Sequence, residues 1–296
     1  MSPRRNARAS VPRPPRRAAS GKTRALGQHF LRDDDVADRM IALVRPTPRD
    51  LVVEVGPGQG ALTGRLARAA GRLLALEVDE RLTAALLERF AGAPHVEVRV
   101  ADARSFDYAG LSALKPDLAG RVLVVGNLPY SVGKPILQEL VEAGPVVDEL
   151  ALMLQKEVAE RVAAGPGSRT YGSLSVLTQL SCEARLAFTV PPGAFRPPPL
   201  VDSAVLHLRA RRAPAVSVDD PARLRAVVLA AFGQRRKSLA NALASGLSLR
   251  SDGARAMCAA AGVDAGRRAE TLSLAEFALL ARTASGWTEP EGGIRL

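Results

Sequence analysis

Asn127-Leu128-Pro129-Tyr130 directly follows an apolar run at 122–125 and is the most chemically specific stretch of the chain. An amine conjugated to an aromatic ring is a poor nucleophile, because its lone pair is delocalised into the ring. Two acceptors can hold its two hydrogens out of the ring's preferred geometry, and the Asn127 side-chain oxygen and the Leu128 backbone carbonyl are such a pair. Pro129 stiffens the turn, and Tyr130 offers a face on which a base stacks. The four residues include no His, Asp or Glu. None is needed if the attacked group is an already activated sulfonium methyl: the nitrogen becomes cationic and acidic after attack, and its proton leaves without a strong base. The rate would then come from positioning and aligned dipoles. The plain alternative is a strand-ending turn with a half-buried tyrosine.

Three further features fit a nucleotide-like cofactor. Gly56-Pro57-Gly58-Gln59-Gly60 sits between an expected strand at 51–55 and the helix after it. Glycines there let a ligand approach the backbone closely, although the spacing is not that of the dinucleotide fingerprint. Glu77 ends the second expected strand, 21 residues after Gly56. An ionised carboxylate there can accept both hydroxyls of a ribose, a need that NAD and many other nucleotide cofactors share. Asp102 follows the third expected strand and could accept from an adenine exocyclic amine. Each has a bland counterpart: a structural turn, a surface acid, a helix cap.

The elements that must hold these residues alternate. Strands are expected at 51–55, 73–78, 96–100, 122–125, 150–154, 185–190 and 204–208, and helices at about 61–70, 80–90, 136–142, 157–163 and 173–180. Continuous Val/Leu strands separated by helical stretches imply an α/β fold with a mostly parallel sheet covered on both faces. Past Arg212 no strand candidate remains. Leu224, Val227, Val228 and Ala231 recur at helical spacing, as do Leu239 and Leu243, and Leu274, Phe277 and Leu280 mark a last helix. The expected organisation is a disordered basic arm at 1–24, a catalytic domain at 25–212, a small all-helical domain at 213–283 and a frayed tail at 284–296 with the lone Trp287. Arg209 to Val218 would be the linker.

The net charge of +11 is unevenly placed. Residues 1–32 carry nine Lys/Arg and no acid, 33–208 a net of −4, 209–250 a net of +7 and 251–296 a net of −1. This distribution suggests that the two ends hold a polyanion while the middle does something else. The Arg- and Ser-rich start could also be a transit peptide, but its prolines disfavour the required amphipathic helix. No apolar run has transmembrane length. Cys182 and Cys258 are not clustered, which suits a reducing cytoplasm. His29, His95 and His207 are scattered, so no metal site is expected. Nothing demands more than a monomer.

These residues resemble the ribosomal RNA adenine dimethyltransferase family over roughly residues 22–282. Gly27-Gln28-His29-Phe30-Leu31 is similar to the family's cofactor-covering segment, in which some members carry Asn at the position of His29. The likeness continues through Gln155-Lys156-Glu157-Val158-Ala159, Pro166-Gly167-Ser168, Tyr171-Gly172-Ser173-Leu174-Ser175-Val176, Phe195-Arg196-Pro197-Pro198-Pro199 and Val201-Asp202-Ser203-Ala204-Val205. The resemblance implies a class I S-adenosylmethionine-dependent methyltransferase fold (Rossmann-like), with an antiparallel strand ending the sheet. It implies cofactor contacts at His29, Leu31, Gly56, Gly58, Glu77, Asp102 and Asn127. It makes Phe195 either a second aromatic wall of the base pocket or a loop anchor.

Phe232-Gly233-Gln234-Arg235-Arg236-Lys237-Ser238-Leu239-Ala240-Asn241 resembles the small-subunit branch of the family rather than the branch that modifies large-subunit RNA and confers macrolide resistance. Arg235, Arg236 and Lys237 form a cationic turn suited to phosphates, though a solvated charge run would look the same. The implied partner is 16S ribosomal RNA within an immature small subunit. Three other readings stay open: a DNA adenine methyltransferase, a ribosome-assembly factor with secondary catalysis, and a nicotinamide-dependent dehydrogenase, in which the tetrapeptide has no place.

Overall fold

The computed structural model describes residues 28–286. The expected basic arm at 1–24, Gly27 and the tail from Trp287 onward lie outside the described residues.

The chain orders its strands as β1 (Phe30–Leu31), β2 (Leu51–Val55), β3 (Arg72–Glu77), β4 (Val96–Val100), β5 (Val122–Asn127), β6 (Glu149–Gln155), β7 (Cys182–Val190), β8 (Phe195–Arg196) and β9 (Ser203–Ala210). Seven of them form one sheet in the order β4-β3-β2-β5-β6-β9-β7. The five from β4 to β6 are mutually parallel. The expected antiparallel strand is present as β9, but it pairs antiparallel with both β6 and β7, so it lies inside the sheet and β7 forms the edge. Residues 191–202, which include β8, return the chain alongside β7 in the opposite direction, so that β9 pairs antiparallel with it.

Alternate residues of the strands face opposite cores. Val53, Val55, Leu74, Val124 and Leu152 join one cluster, whereas Val52, Leu73, Leu123, Val125 and Met153 join the other. Burial on both faces explains why these strands read as unbroken apolar runs. Helix α1 (Asp34–Val44) covers the second face with Val36, Ala37, Met40 and Val44, and the Asp33 side chain caps it by accepting from the Val36 N–H at 3.2 Å. The periodicity reading had not marked this helix.

The chain runs outward from β2 to β3 to β4, then restarts with β5 on the other side of β2. The order therefore reverses between β2 and β5, and the crevice at the carboxyl ends of such a pair is where open sheets bind ligands. Gly56 and Asn127 lie there, in adjacent strand ends: Val55 is opposite Gly126.

Four helices, Pro221–Gly233, Leu239–Gly246, Ser251–Ala260 and Leu274–Ser285, surround a separate core. Tyr171 and Val176 from the sheet-bearing part enter it, and the Tyr171 ring meets Phe232 edge-on at 5.9 Å. The expected linker is more ordered than a tether. Arg209 and Ala210 complete β9, and the Arg211 and Ala215 N–H groups donate to the carbonyls of Ser181 and Leu180 at 2.8 and 2.9 Å. Among the described residues, no helix is long and apolar enough to cross a membrane, and no cluster of His, Cys, Asp or Glu could hold a metal ion.

Candidate active site

The loop after β2 takes a conformation that its glycines permit. Gly56, Gly58 and Gly60 have φ of +67°, +56° and +81°, in the left-handed region. A Cβ at Gly58 would meet the Phe30 ring at 3.0 Å. Phe30 thus lies directly over the loop, held there by the two-stranded pairing of β1 with β8, in which Phe30 is opposite Arg196. That pairing was not foreseen; two-residue strands carry no periodic signal.

Glu77 closes the far side. Its Oε2 accepts from the Gly58 N–H at 3.0 Å, and its Oε1 accepts from the N–H groups of Val78 and Asp79 at 2.9 and 3.0 Å. Burial pushes the Glu77 carboxyl up, and the three N–H donors oppose that shift. Gln28, His29, Phe30, Gly56, Gly58, Glu77, Asn127, Leu128, Pro129 and Tyr130 line one pocket. The predicted tetrapeptide, glycine loop, ribose-type acid and His29 therefore share one crevice. Leu31 lies beneath, lining an adjoining cavity under the loop.

Asn127 is oriented by its own hydrogen bond. Its side-chain nitrogen donates to the His29 backbone carbonyl at 2.9 Å, so the amide oxygen is the group left as acceptor. The Leu128 N–H donates to the Met153 carbonyl at 3.0 Å, while its own carbonyl accepts nothing from the described residues. Tyr130 is half-buried, and its hydroxyl shares a 2.5 Å hydrogen bond with the Ser203 hydroxyl. Its ring lies 5.4 Å from the His29 imidazole at a tilt of 39°. The His29 Nδ1 in turn donates to the Pro197 carbonyl at 2.8 Å.

Asp102 is set apart from this pocket. It follows β4, beside the Glu77 strand end, through the Ala101 N–H donating to the Glu77 carbonyl at 2.9 Å. Arg104 grips both its carboxylate oxygens, at 2.5 to 3.1 Å, and holds its carboxyl below the usual range. Phe195 is 2% exposed and packs in the core with Leu31, Val36 and Met40, which gives it the anchor role of the two expected. The cationic turn divides. Arg235 donates to the carbonyls of Arg169 and Tyr171 at 2.9 and 3.1 Å and pairs with Glu270 at 3.5 Å, whereas Arg236 and Lys237 are exposed without side-chain partners among the described residues.

Glu54 was missed, although a lone charge in the apolar strand Leu51–Val55, directly before the glycine loop, is a visible signal. It is 1% exposed and lines the cavity beneath the loop. Its Oε2 has no hydrogen-bond partner among the described residues. Burial, aided by the nearby Glu77 charge, pushes its carboxyl up to about 8, with the Thr63 hydroxyl opposing. A buried unpartnered acid and a side-chain-free cradle fit a ligand with a cationic end. The contacts of Ser203 with Tyr130 and of Pro197 with His29 are visible only in three dimensions.

Comparison with known proteins agrees with this geometry. A family model described as ribosomal RNA adenine dimethylase matches residues 19–285. A protein named ribosomal RNA small subunit methyltransferase A from Xanthomonas campestris pv. campestris is 44% identical over 258 residues, 87% of this chain and 94% of that one. Its namesake from Geobacter sulfurreducens is 44% identical over 265 residues, 88% and 94% of the two chains. Among solved structures, the 23S rRNA methyltransferase ErmE superposes with a TM-score of 0.65 at 26% identity, covering 86% of this chain and 99% of that one. A dimethyladenosine transferase from Plasmodium falciparum superposes with a TM-score of 0.70 at 22% identity, covering 85% and 96%. The sheet is that of a class I S-adenosylmethionine-dependent methyltransferase. The chain belongs to the ribosomal RNA adenine dimethylase family.

Proposed function

We propose that this protein methylates N6 of two adjacent adenosines in the 3′-terminal hairpin loop of 16S ribosomal RNA, giving N6,N6-dimethyladenosine, and that it acts in the cytoplasm on an immature small subunit. The observation that carries this reading is the Asn127 amide, fixed by His29 so that its oxygen is the free acceptor beside the glycine cradle. The small-subunit branch is supported by 44% identity to proteins bearing that name, against 26% to the 23S enzyme.

Bound S-adenosylmethionine supplies a sulfonium-activated methyl group. The left-handed turn from Gly56 to Gly60 would border it, with Phe30 packed against Gly58 and Leu31 lining the adjoining cavity. Glu77 keeps a lone pair for a ribose hydroxyl beyond its three backbone donors. The unpartnered Glu54 oxygen suits an ammonium, and Asp102, kept ionised by Arg104, would accept from the adenine amine. On the substrate side, Asn127 Oδ1 and the Leu128 carbonyl accept the two amine hydrogens of the target adenosine. This localises the lone pair on nitrogen, while Tyr130 stacks on the base. A base inside a helix hides its amine, and a loop adenosine lowers the unstacking cost of a few kcal/mol, roughly. After transfer the cationic nitrogen releases its proton to water. A second methylation requires fresh cofactor and a repositioned amine. Arg236 and Lys237 would take phosphates.

The test is transfer from labelled S-adenosylmethionine to immature small and large subunits, with the product nucleoside identified by mass. Dimethyladenosine in small-subunit RNA is expected. Label confined to large-subunit RNA would move the protein to the resistance branch. Absence of transfer with retained particle binding would leave an assembly factor.

A further inference from the structure

The segment between β8 and β9 is fixed to both rings of the catalytic pocket. At one end the Pro197 carbonyl accepts from His29 Nδ1 at 2.8 Å, and at the other the buried Ser203 hydroxyl meets the Tyr130 hydroxyl at 2.5 Å. The Lys156 N–H adds a third tie, donating to the Asp202 carbonyl at 3.0 Å. Pro197, Pro198 and Pro199 restrict the backbone between these ties. At the tip Leu200 is 102% exposed and Val201 47% exposed. Arg196 at the entrance is exposed and has no side-chain partner among the described residues. A stiff loop, tied at both ends to residues that line the pocket, thus carries a bare leucine whose only neighbour would otherwise be water.

We infer that this loop is a second contact with the nucleic acid, in which Leu200 covers the base faces exposed when the target adenosine leaves its stack and Arg196 takes an adjoining phosphate. The inference rests on the adenosine reading of the pocket. The occupant follows from continuity with that pocket: nucleotides beside the target are tethered to it by one phosphodiester each, so they lie close to the pocket residues His29 and Tyr130 to which this loop is tied. An extruded base leaves its neighbours with bare apolar faces, and an apolar wedge is the usual way to cover them. A guanidinium in the same exposed segment, at Arg196, suits a phosphate and would repel a basic partner. The loop's rigidity means that little conformational entropy is lost on contact.

Leu200→Asp, Leu200→Met and, as a control on the opposite end of the sheet, Leu118→Asp would be compared with the unaltered protein. Leu118 is 88% exposed and precedes β5, away from the strand ends that form the pocket. The readouts are KM and kcat on immature small subunits, cofactor affinity by calorimetry, and 2-aminopurine fluorescence beside the target in a loop RNA. Leu200→Asp is expected to raise KM about tenfold or more and to lose the fluorescence rise that reports unstacking. Cofactor affinity stays constant, Leu200→Met retains both signals, and Leu118→Asp behaves as the unaltered protein. Unchanged KM and fluorescence in Leu200→Asp overturn the inference, as does an equal loss in Leu118→Asp. If the unaltered protein transfers no methyl to adenosine, the failure lies in the pocket reading, and it is seen before any variant is made.

Discussion

The Asn127 side-chain nitrogen donates to the His29 backbone carbonyl across 2.9 Å, joining the fourth parallel strand of the chain to the segment that covers the glycine loop. One amide therefore docks the cover and leaves its oxygen free, the acceptor proposed for the substrate amine. Because the bond uses the His29 backbone carbonyl, it does not depend on the side chain at position 29. Asn127→Ala is expected to lower kcat about 100-fold or more, the scale of removing one aligned dipole from a preorganised site. Single-turnover transfer measures this. Binding to immature subunits, measured in parallel, is expected to hold, because the basic turn at Arg236 and Lys237 lies on the helical part.

Glu77 has structural work beside the binding role proposed for it. Its carboxylate accepts from Gly58, Val78 and Asp79, so the alanine variant leaves three donors without their acceptor. Glu77→Ala is expected to raise the cofactor Kd about tenfold to 100-fold, the worth of one hydrogen bond to a charged group. It should also lower Tm by a few degrees while RNA affinity is kept. Calorimetry with the cofactor, a thermal melt and an RNA titration separate these effects. Loss of RNA binding together with cofactor binding would mean that the fold was damaged.

Much of this site was legible before any coordinates. Strand-end positions can be read from sequence because apolar runs mark the strands and ligands bind at their carboxyl ends, so Gly56, Glu77 and Asn127 could be placed together. What escaped depends on contacts between distant segments. Ser203 meets Tyr130 across 73 residues, and Pro197 meets His29 across 168. No local pattern encodes either pairing. Phe195 could be read as wall or anchor because an aromatic side chain suits both, and only its burial separates them. The three cations at 235–237 are alike in sequence, yet Arg235 alone reaches the Arg169 and Tyr171 carbonyls.

That division yields a prediction for the basic turn. Replacing Arg236 and Lys237 together by alanine is expected to weaken RNA binding and to flatten the slope of log K against log salt by roughly 0.7–0.9 for each phosphate left unneutralised. Arg235→Ala should act differently. It removes a link between the helical core and the 165–171 segment, so it should lower Tm, with a smaller change in the salt slope. Titrations at several salt concentrations and a melt on each variant distinguish the two roles. An equal slope change for both variants would return Arg235 to the RNA surface.

Glu54 gives the protein a pH dependence whose sign can be worked out. Its carboxyl is pushed from its ordinary 4.5 up to about 8 by burial first and by the Glu77 charge in addition. A group protonated in the folded state and ionised in the unfolded chain stabilises the fold fully below about 4.5, and that contribution is lost as pH rises through about 8. A tenfold difference in proton affinity between the folded and unfolded chain corresponds to about 1.4 kcal/mol, so the loss is large enough to see in Tm. The unaltered protein should therefore lose Tm between about pH 5 and pH 8 relative to Glu54→Gln, whatever the absolute stability of the variant. A cationic ligand end reverses the preference, since it favours the carboxylate. Cofactor binding near neutral pH should then expel a proton, seen as a calorimetric enthalpy that varies with the ionisation heat of the buffer, and the variant should lose that dependence. Parallel Tm curves would mean that Glu54 is already ionised in the fold. A buffer-independent enthalpy in the unaltered protein would mean that the cofactor's cationic end lies elsewhere.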